Sequence, residues 1–368
     1  MDEKKLKHLI NRMIDIYSPS GKENDLLDYL RGYLKRRGIK SIAQPVDDNR
    51  YNLIVPPEGD DIQLALIGHI DTVAAYDIED YGFFEENGRI YGLGAADMKS
   101  GCAAMIEAFL AFREEKGSAV PAALCLVVGE EESGDGAKAL IDEYHFPWAV
   151  IGEPTDLAVC LSCYGYLEIQ LAATGKRVHA SMAGKRKNAT ETLLNTMLRI
   201  SHFLRENHPE LVYNFRDLYS NPSGFSTPDR CEAWLDIHAP ASAPLGEIVT
   251  AIEEVSLNNQ TSRNIIEPHF HIETIDAGYE LPEKGEVVKS LKKAYENLDI
   301  NWQTGNFQSH SDANQLWGAG IKPVVLGPGS LAEAHSTDES VEFDQVCRCA
   351  DIYLHMLRSF LAQPNRNH

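Results

Sequence analysis

The feature that most constrains this chain is an alternation of short apolar runs with helical stretches. Helical composition is found at Met98–Arg113 and Ala137–Tyr144, between apolar runs that have the length of strands. These runs are Asn52–Val55, Leu64–Gly68, Ala122–Val128 and Ala149–Gly152. Strands that alternate with helices predict an α/β fold with a mostly parallel central sheet. Because ligands bind beyond the carboxyl ends of such strands, those ends are the first candidates for a functional site.

Two amphipathic helices are predicted before this α/β layer. The first presents apolar residues at helical spacing, namely Leu6, Leu9, Ile10, Met13 and Ile14. The segment SPSG then interrupts the pattern. Ser20 and Glu23 have the spacing of a capping box, which predicts the start of a second helix that stops at Gly38.

The pattern changes between Tyr164 and about Gly278, which indicates an inserted domain. This region contains three strand-like and two helix-like segments: Tyr166–Ala172, Cys231–Ala239, Phe270–Ile275, Thr190–Arg205 and Leu245–Ser256. Afterwards α/β character returns, with a helix near Glu286–Asn297 and a strand at Lys322–Leu326. For a chain of 368 residues we therefore predict a catalytic domain of residues 1–163 and 279–368, with a small α+β domain of residues 164–278 inserted into it.

Charge and composition exclude several classes of partner. With 34 Lys and Arg against 55 Asp and Glu, the formal net charge is −21, which disfavours nucleic acid and anionic membrane surfaces as partners. No apolar run approaches the roughly 20 residues of a membrane span, and the N-terminus lacks the pattern of a signal peptide. Seven cysteines are too sparse for a disulfide-built scaffold, so we expect a reducing, cytoplasmic setting.

The strand in LALIGHIDTV runs into His69 and Asp71. On an extended backbone, residues two apart point to the same side, so Asp71 could orient the ring of His69 while His69 binds a metal ion. A buried histidine that is hydrogen-bonded to a neighbouring aspartate explains this pair equally well.

Two acidic features follow further along the chain. Asp97, in YGLGAADMKSG, opens the helix Met98–Arg113, where a carboxylate usually serves as a cap. Glu130, Glu131 and Glu132 follow a buried strand in CLVVGEEESGDG. Adjacent carboxylates at a sheet edge are costly unless cations compensate their charge, although most acidic runs are solvated loops.

Two more candidate ligands complete a set that suits metal ions. Glu153 emerges from the apolar strand of AVIGEPTD, and His335 lies in a loop after the strand Lys322–Leu326. The sheet thus gathers two histidines and several carboxylates at its strand ends. Imidazole and carboxylate without thiolate suit a pair of Zn²⁺ ions, for which Co²⁺ or Mn²⁺ can substitute. Such a pair can share a bridging carboxylate and activate a water molecule for hydrolysis.

The ordered motifs GHIDTV, GLGAADMKSG, GEEESG, GEPTD and GPG…HSTDE resemble those of the co-catalytic zinc aminoacylase and carboxypeptidase family. That family includes acetylornithine deacetylase, succinyl-diaminopimelate desuccinylase, aminoacylase and glutamate carboxypeptidase. The resemblance spans nearly the whole chain. It implies a zinc-peptidase-like catalytic domain and an inserted α+β domain that acts as a lid and in dimerisation.

The same resemblance implies roles for individual residues. Glu131 would be the general base, and Asp71 would orient His69. The family's Asp-Glu-Glu is aligned here with Glu130–Glu132, and a shift by one residue would exchange the base and ligand assignments. Asp97 would bridge two metal ions whose full set of ligands is His69, Asp97, Glu132, Glu153 and His335.

In the inserted domain, the segment TGKRVHAS contains His179. The resemblance implies that this histidine reaches the active site of a partner subunit and stabilises the tetrahedral oxyanion, and hence that the chain is a homodimer. His238 stands where the family usually has an arginine for the substrate carboxylate, a bidentate contact that histidine cannot copy. The substrate-binding positions so implied are Asn188, His238, Gly327, Pro328 and Gly329.

The function predicted is hydrolysis of the amide bond of a small N-acyl amino acid, as in an acetylornithine-deacetylase-like deacylase. A dipeptidase or carboxypeptidase of the same family is the alternative, since the two differ only in the side of the amide that is recognised. From another class of protein, a non-catalytic, dimeric, metal-binding module also stays open.

Overall fold

A computed structural model describes residues 2–59, 61–75, 77, 79, 81–185, 188–257 and 268–361. Within these residues the α-helices are α1 (Glu3–Asp15), α2 (Asn24–Arg36), α3 (Lys99–Lys116), α4 (Asp135–Glu143), α5 (Ala189–Asn207), α6 (Leu245–Leu257), α7 (Glu286–Asn297), α8 (Asp312–Gly318) and α9 (Phe343–Leu361). A 3₁₀ helix spans Ala180–Lys185.

The first eight strands, in chain order, are β1 (Ile42–Pro45), β2 (Tyr51–Val55), β3 (Leu64–His69), β4 (Phe84–Glu86), β5 (Arg89–Tyr91), β6 (Ala122–Val127), β7 (Trp148–Ile151) and β8 (Val159–Cys163). The others are β9 (Gly165–Thr174), β10 (Val212–Ser220), β11 (Arg230–Ala239), β12 (His269–Asp276), β13 (Tyr279–Glu280), β14 (Thr304–Phe307), β15 (Lys322–Val325) and β16 (Ser340–Glu342).

The described chain divides into two compact units. Unit 1 comprises Met1–Ser162, Glu280–Phe307 and Ser311–His368, and unit 2 comprises Cys163–Tyr279 and Gln308–His310. These limits differ by one residue at each end from the insertion predicted at 164–278. Unit 2 also includes the separate segment Gln308–His310, which the sequence pattern assigned to the first domain.

Unit 1 is built on a mixed sheet with strand order β1-β2-β6-β3-β7-β15-β8-β13, and β14 pairs with β8. The four central strands β6, β3, β7 and β15 are parallel, whereas β1–β2, β2–β6 and β15–β8 pair antiparallel. The predicted α/β class is confirmed, and parallel pairing holds at the centre of the sheet. All six residues of β3 are buried because a central strand is covered on both faces.

Helix α3 begins just after Asp97, one of the candidate metal ligands, and packs against this sheet. It packs on β3 and β6 on one side and on α1 and α9 on another, so nearly all of its residues are buried. Apolar side chains therefore lie on all sides of this helix, whereas a surface helix has them mainly on one face. A separate sheet has the strand order β16-β5-β4. Its strand β5 leads into the turn that precedes α3.

Unit 2 has its own hydrophobic core. Its antiparallel sheet has the order β10-β11-β9-β12, and β9 alternates buried with half-buried residues along its length. Helix α5 packs on β9, β11 and α6. The core residues include Leu167, Ile169, Leu171, Leu193, Ile200, Leu204, Leu235, Ile237, Ile248 and Ile252.

In the described part of the chain, no helix combines the length and apolar character that crossing a lipid bilayer requires.

Candidate metal centre

The carboxyl ends of the parallel strands in unit 1 bring together side chains that are far apart in the sequence. His69 is the last residue of β3, Glu153 lies two residues after β7, and His335 lies in the loop after β15. Asp97 lies in the turn just before α3. Because parallel strands end at the same edge of a sheet, these groups converge there, as the sequence predicted.

Two groups of ligand atoms are formed, and both include Asp97. His69, Asp97 and Glu153 each offer one ligand atom, and these atoms lie within 4.8 Å of one another. Asp97, Glu131 and His335 form a second group by the same criterion. Asp97 thus offers one carboxylate oxygen to each group, which is the geometry of a bridging ligand.

Individual distances show how close the two groups are. His69 Nε2 lies 3.2 Å from Asp97 Oδ1 and 3.8 Å from Glu153 Oε2. His335 Nε2 lies 2.9 Å from Glu131 Oε2 and 3.6 Å from Asp97 Oδ2. The two imidazoles therefore flank the same carboxylate from opposite oxygens.

Burial makes this cluster electrostatically strained without cations. Burial and the charge of Asp97 raise the pKa of Glu153 to about 8. Burial also raises the pKa of Glu131, while its hydrogen bond to His335 partly offsets that change and raises the pKa of His335 to about 9. Burial alone would lower the pKa of His69, but the charge of Glu153 and the hydrogen bond with Asp97 raise it well above its ordinary value.

The donor set fits divalent cations. Among the described residues, no Lys or Arg side chain forms an ion pair with Asp97, Glu131 or Glu153, whose partners are histidines. Oxygen Oε1 of Glu153 is buried and has no hydrogen-bond partner. An unpaired buried carboxylate oxygen costs free energy unless a proton or a cation satisfies it. Imidazole and carboxylate ligands without thiolate suit zinc and similar ions.

Asp71 holds several parts of the site in place. The Nδ1 atom of His69 lies 3.1 Å from the backbone oxygen of Asp71, so a proton on Nδ1 can donate to that oxygen and leave Nε2 for a metal ion. The Asp71 carboxylate accepts hydrogen bonds from the backbone N–H groups of Glu130 and Glu131, at 3.3 and 3.1 Å. It also accepts one from the hydroxyl of Ser20 at 2.7 Å.

The acidic triplet is arranged differently from the alignment made on the sequence. Glu131, and not Glu132, lies beside His335 and Asp97, and Glu132 is exposed. Glu130 lies on the other side of the cluster, with its Oε2 atom 3.9 Å from His69 Nε2. The structure therefore brings Glu131, and not Glu132, to the second ligand group, because the backbone N–H groups of Glu130 and Glu131 donate to the Asp71 carboxylate and fix the turn with these two side chains facing inward.

Two local predictions near the site were wrong. Asp97 does not cap α3, because the N-cap is Met98 and its side chain makes no capping hydrogen bond. Ser20 does not form a capping box with Glu23, which is itself the N-cap of α2. Both Asp97 and Ser20 direct their side chains to the cluster instead.

The candidate residues of unit 2 have local partners within that unit. His179 is exposed and its Nδ1 atom lies 2.9 Å from the hydroxyl of Ser181. The Asn188 side chain caps α5 by accepting from the N–H groups of Thr190 and Glu191. His238, on β11, lies beside Tyr166 with ring centroids 5.1 Å apart. Their roles toward a substrate stay predictions.

Gly327, Pro328 and Gly329 form the turn that follows β15. The N–H group of Gly327 donates to Thr155 Oγ1 at 3.1 Å, and a β-carbon on Gly327 would lie 2.2 Å from the backbone oxygen of Gly152. Only glycine allows this close approach of two strand ends. The turn is thus required for packing beside Glu153, and its contact with a substrate stays a prediction.

A cavity of about 730 Å³ opens beside His335 in unit 1. Its volume falls in the range of small-molecule sites. Tyr81, Phe84 and Tyr91 contribute aromatic surface, and the rings of Phe84 and Tyr91 stack with centroids 4.5 Å apart. The cavity therefore presents an apolar wall next to one of the candidate ligands.

Comparison with known proteins agrees with this fold. The model of peptidase family M20/M25/M40 matches residues 65–359. A probable succinyl-diaminopimelate desuccinylase of Staphylococcus aureus (strain Mu50) is 29% identical over 203 residues, which are 52% of this chain and 50% of that protein. In this match the chain spans about half the length of its relative. An acetylornithine deacetylase of Edwardsiella ictaluri is 26% identical over 356 residues, 91% of this chain and 90% of that protein.

The solved structure of a tripeptidase from Staphylococcus aureus has the same fold. It covers 99% of this chain and 100% of its own, with a TM-score of 0.79 and 19% sequence identity. The fold and the convergent imidazole and carboxylate side chains are those of a metallohydrolase. Because the family match extends over most of the sequence, the chain belongs to peptidase family M20/M25/M40.

Proposed function

We propose that this chain is a metal-dependent amidohydrolase that cleaves the amide bond of a small N-acyl amino acid. The observation that carries the proposal is the pair of ligand groups that share Asp97. The names of the desuccinylase and deacetylase relatives support the deacylase type of reaction. We place the protein in the cytoplasm, as the composition predicted.

Two divalent ions, with zinc as the first candidate and Co²⁺ or Mn²⁺ as substitutes, would be held by the residues of the two groups. One would take His69, Asp97 and Glu153, and the other Asp97, Glu131 and His335. When bound, such a pair supplies positive charge that polarises an amide carbonyl and makes a nearby water molecule more acidic.

Glu130 is the carboxylate best placed to act as general base. It belongs to neither ligand group, its Oε2 atom lies 3.9 Å from His69 Nε2 of the first group, and its backbone N–H donates to the Asp71 carboxylate. Burial raises the pKa of Glu130 well above its ordinary value. A carboxylate beside the attacking water can accept a proton from it and return that proton later. Glu130 takes a proton from the attacking water and passes it to the leaving amine nitrogen. The base and ligand roles thus shift by one residue from Glu131 and Glu132 to Glu130 and Glu131.

The residues of unit 2 complete the proposal as the family resemblance implies. His179 would donate a hydrogen bond to the oxyanion that forms at the amide carbon, in the active site of a partner subunit of a homodimer. Asn188 and His238 would contact the substrate, together with the turn Gly327–Gly329. Size-exclusion chromatography with light scattering tests the dimer directly.

The substrate class follows from the cavity beside His335 and from the relatives. An apolar wall of Tyr81, Phe84 and Tyr91 fits the apolar part of a small molecule, such as a side chain or an acyl group. A peptidase acting on short peptides is the second candidate, favoured by the likeness in fold to a tripeptidase.

The test is turnover by purified protein loaded with Zn²⁺, Co²⁺ or Mn²⁺. N-acetyl and N-succinyl amino acids, dipeptides and tripeptides are supplied in parallel, and release of free amine is measured. Preferential cleavage of N-acyl amino acids supports the deacylase, and preferential cleavage of peptides supports the second candidate. Stoichiometric metal binding without turnover of any amide would favour the non-catalytic module.

Substitution of the three adjacent glutamates separates their roles. We expect Glu130→Gln to retain both metal ions and to lose turnover by about 10²–10⁴-fold, the usual contribution of a general base. Glu131→Gln should lose metal affinity, because it removes a ligand of the second group. Glu132→Gln is the matched control and should behave as wild type, since that side chain is exposed.

Metal content by mass spectrometry and turnover of the best substrate are measured for all three variants. Loss of metal in Glu132→Gln with retention in Glu131→Gln would overturn the assignment and restore the order predicted from sequence.

A further inference from the structure

Glu339 lies at the end of the segment HSTDE and is not a member of either ligand group. The residue is 4% exposed, which is unusual for a glutamate that forms no ion pair within the described part of the chain. Both of its oxygens point at the turn that precedes α3. The Oε2 atom accepts from the N–H of Gly94 at 2.8 Å, and Oε1 accepts from the N–H groups of Ala96 and Asp97 at 2.8 and 2.9 Å.

The backbone of this turn depends on the three hydrogen bonds. Within the turn, Ala95 donates to Gly92 and Lys99 donates to Gly94. The N–H groups of Gly94, Ala96 and Asp97 instead donate hydrogen bonds to the carboxylate of Glu339. Buried N–H groups need such partners, and a carboxylate is the strongest neutral-pH acceptor a side chain can offer. Glu339 therefore fixes the path of the backbone at the residue that both ligand groups share.

The surrounding strands bring Glu339 to this position. Residues Ser340–Glu342 form β16, which pairs with β5, and the register places Ser340 opposite Tyr91. Directly beyond this pairing, the backbone oxygen of Glu339 accepts from the N–H of Gly92 at 3.2 Å. The chain that leads out of β5 toward Asp97 thus runs alongside the chain that leads from His335 into β16.

We propose that Glu339 is a positioning residue that sets the bridging carboxylate of Asp97 relative to His335. The two ligands come from distant parts of the chain, and Glu339 is four residues after one of them and bonded to the backbone of the other. Through its carboxylate, Glu339 keeps Asp97 and His335 in the relative position that the metal centre requires. The inference rests on the metal centre proposed above.

Glu339→Gln tests this role with little change in shape. The amide keeps one oxygen but directs an NH₂ group at a backbone N–H, so at least one of the three hydrogen bonds is lost. Changes to groups that orient metal ligands typically cost about 10–100-fold in metal affinity, and we expect a loss in that range for one of the two ions. Glu339→Asp keeps the negative charge on a side chain that is one methylene shorter, and it should show a smaller loss of metal affinity.

Affinity is measured by competition of Zn²⁺ with a chromophoric chelator, and geometry by the visible absorption spectrum of the Co²⁺-loaded protein. The spectrum reports ligand arrangement, which a purely structural substitution would leave alone. Glu107→Gln is the matched control, because Glu107 is also 4% exposed and its partners Tyr33 and Arg37 are not candidate ligands. It should lower thermal stability while affinity and spectrum stay as in wild type.

The outcomes separate this inference from the proposed function. A wild-type protein that binds no divalent ion would refute the metal centre itself. Wild type that binds two ions, with Glu339→Gln and Glu339→Asp unchanged in affinity and spectrum, would overturn only the role of Glu339. If Glu339→Gln does not fold, the comparison of Glu339→Asp with wild type decides.

Discussion

At the scale of single residues, Asp71 contacts several parts of the candidate site at once. Its carboxylate accepts from the N–H groups of Glu130 and Glu131 and from the hydroxyl of Ser20. Its backbone oxygen lies by the ring of His69. A histidine, a proposed base and a proposed ligand are thus oriented by one aspartate that itself lies outside both ligand groups.

Ser20 supports this aspartate from the N-terminal SPSG segment. That segment is joined to the end of β3, because the N–H of Thr72 donates to Ser18 and the N–H of Ser20 donates to Thr72. The Ser20 hydroxyl then donates to Asp71 Oδ2 at 2.7 Å. A segment that looked only like an interruption between two helices therefore helps to hold the site.

Ser20→Ala is expected to weaken metal binding. Loss of a hydrogen bond to a carboxylate should lower the free energy of unfolding by about 1–3 kcal/mol and metal affinity by about tenfold. Ser20→Thr keeps the hydroxyl and should restore most of both. Chelator competition and denaturant unfolding measure the two effects, and an alanine variant with wild-type metal affinity would contradict this role.

Sequence patterns predicted which residues meet, but not how adjacent ones are oriented. His69, Asp97, Glu153 and His335 were assigned from strand ends and motifs, and the structure brings them together. The triplet Glu130–Glu132 lies in a turn, where no period of two or 3.6 residues decides which side chain faces inward. Hydrogen bonds from the backbone N–H groups of Glu130 and Glu131 to the Asp71 carboxylate set that direction, and they are a tertiary feature. Glu339 was missed for the same reason, since nothing in HSTDE distinguishes a buried glutamate from a solvated one.

Helix α3 and the ends of strands β7 and β15 meet closely at three glycines beside the site. A β-carbon on Gly101, in α3, would lie 2.2 Å from the backbone oxygen of Gly152, and one on Gly327 would also lie 2.2 Å from it. Gly152 follows β7 and precedes Glu153, while Gly101 lies four residues after Asp97. Because these positions have no side chains, α3, β7 and β15 pack closely enough for the candidate ligands near their ends to lie together.

We expect Gly101→Ala to disturb both packing and metal binding. The added methyl group meets backbone atoms, so α3 must shift, at a cost of about 1–3 kcal/mol in the free energy of unfolding. Gly32→Ala in α2 is the control, because its β-carbon would meet only the flexible end of Arg36 at 3.3 Å. There the helix propensity of alanine should raise stability by about 0.5–1 kcal/mol. Urea unfolding of both variants decides, and a Gly101→Ala variant as stable as wild type would contradict the packing argument.

Helices and strands were predicted correctly where burial of apolar side chains is the dominant force. The buried parallel strands β3, β6 and β7 appeared as continuous apolar runs, which is how doubly covered strands read. Of the antiparallel strands at the sides of the sheet, β2 was predicted as the run Asn52–Val55. Strands β1, β13 and β14 and the short β4–β5–β16 sheet were not predicted, because they are brief, and β8 was also missed. Segment Gln308–His310 groups with unit 2, unlike the predicted domain limits, and His310 stacks on Tyr166, a contact that no local pattern reveals.

For the chain as a whole, all residues of the two ligand groups belong to one of its two units. His69, Asp97, Glu131, Glu153 and His335 lie in unit 1, whereas unit 2 has a hydrophobic core of its own. Without cations, unit 1 must keep several buried carboxylates close together, which opposes folding of that unit. Metal ions bind only the folded arrangement of these ligands, so binding and local stability are linked.

Metal loading is therefore expected to stabilise unit 1 selectively. At a free metal concentration of 100 times the dissociation constant, one site adds about 2.7 kcal/mol to stability. Hydrogen exchange measured by mass spectrometry should slow in peptides that cover 64–72, 92–100, 127–135 and 333–341 when Zn²⁺ is added to chelator-treated protein. Peptides from β9 and β11 act as the internal control and should exchange at the same rate with and without metal. Equal slowing in unit 2 would show that the two units open together, and no slowing in unit 1 would argue against a metal site in its folded state.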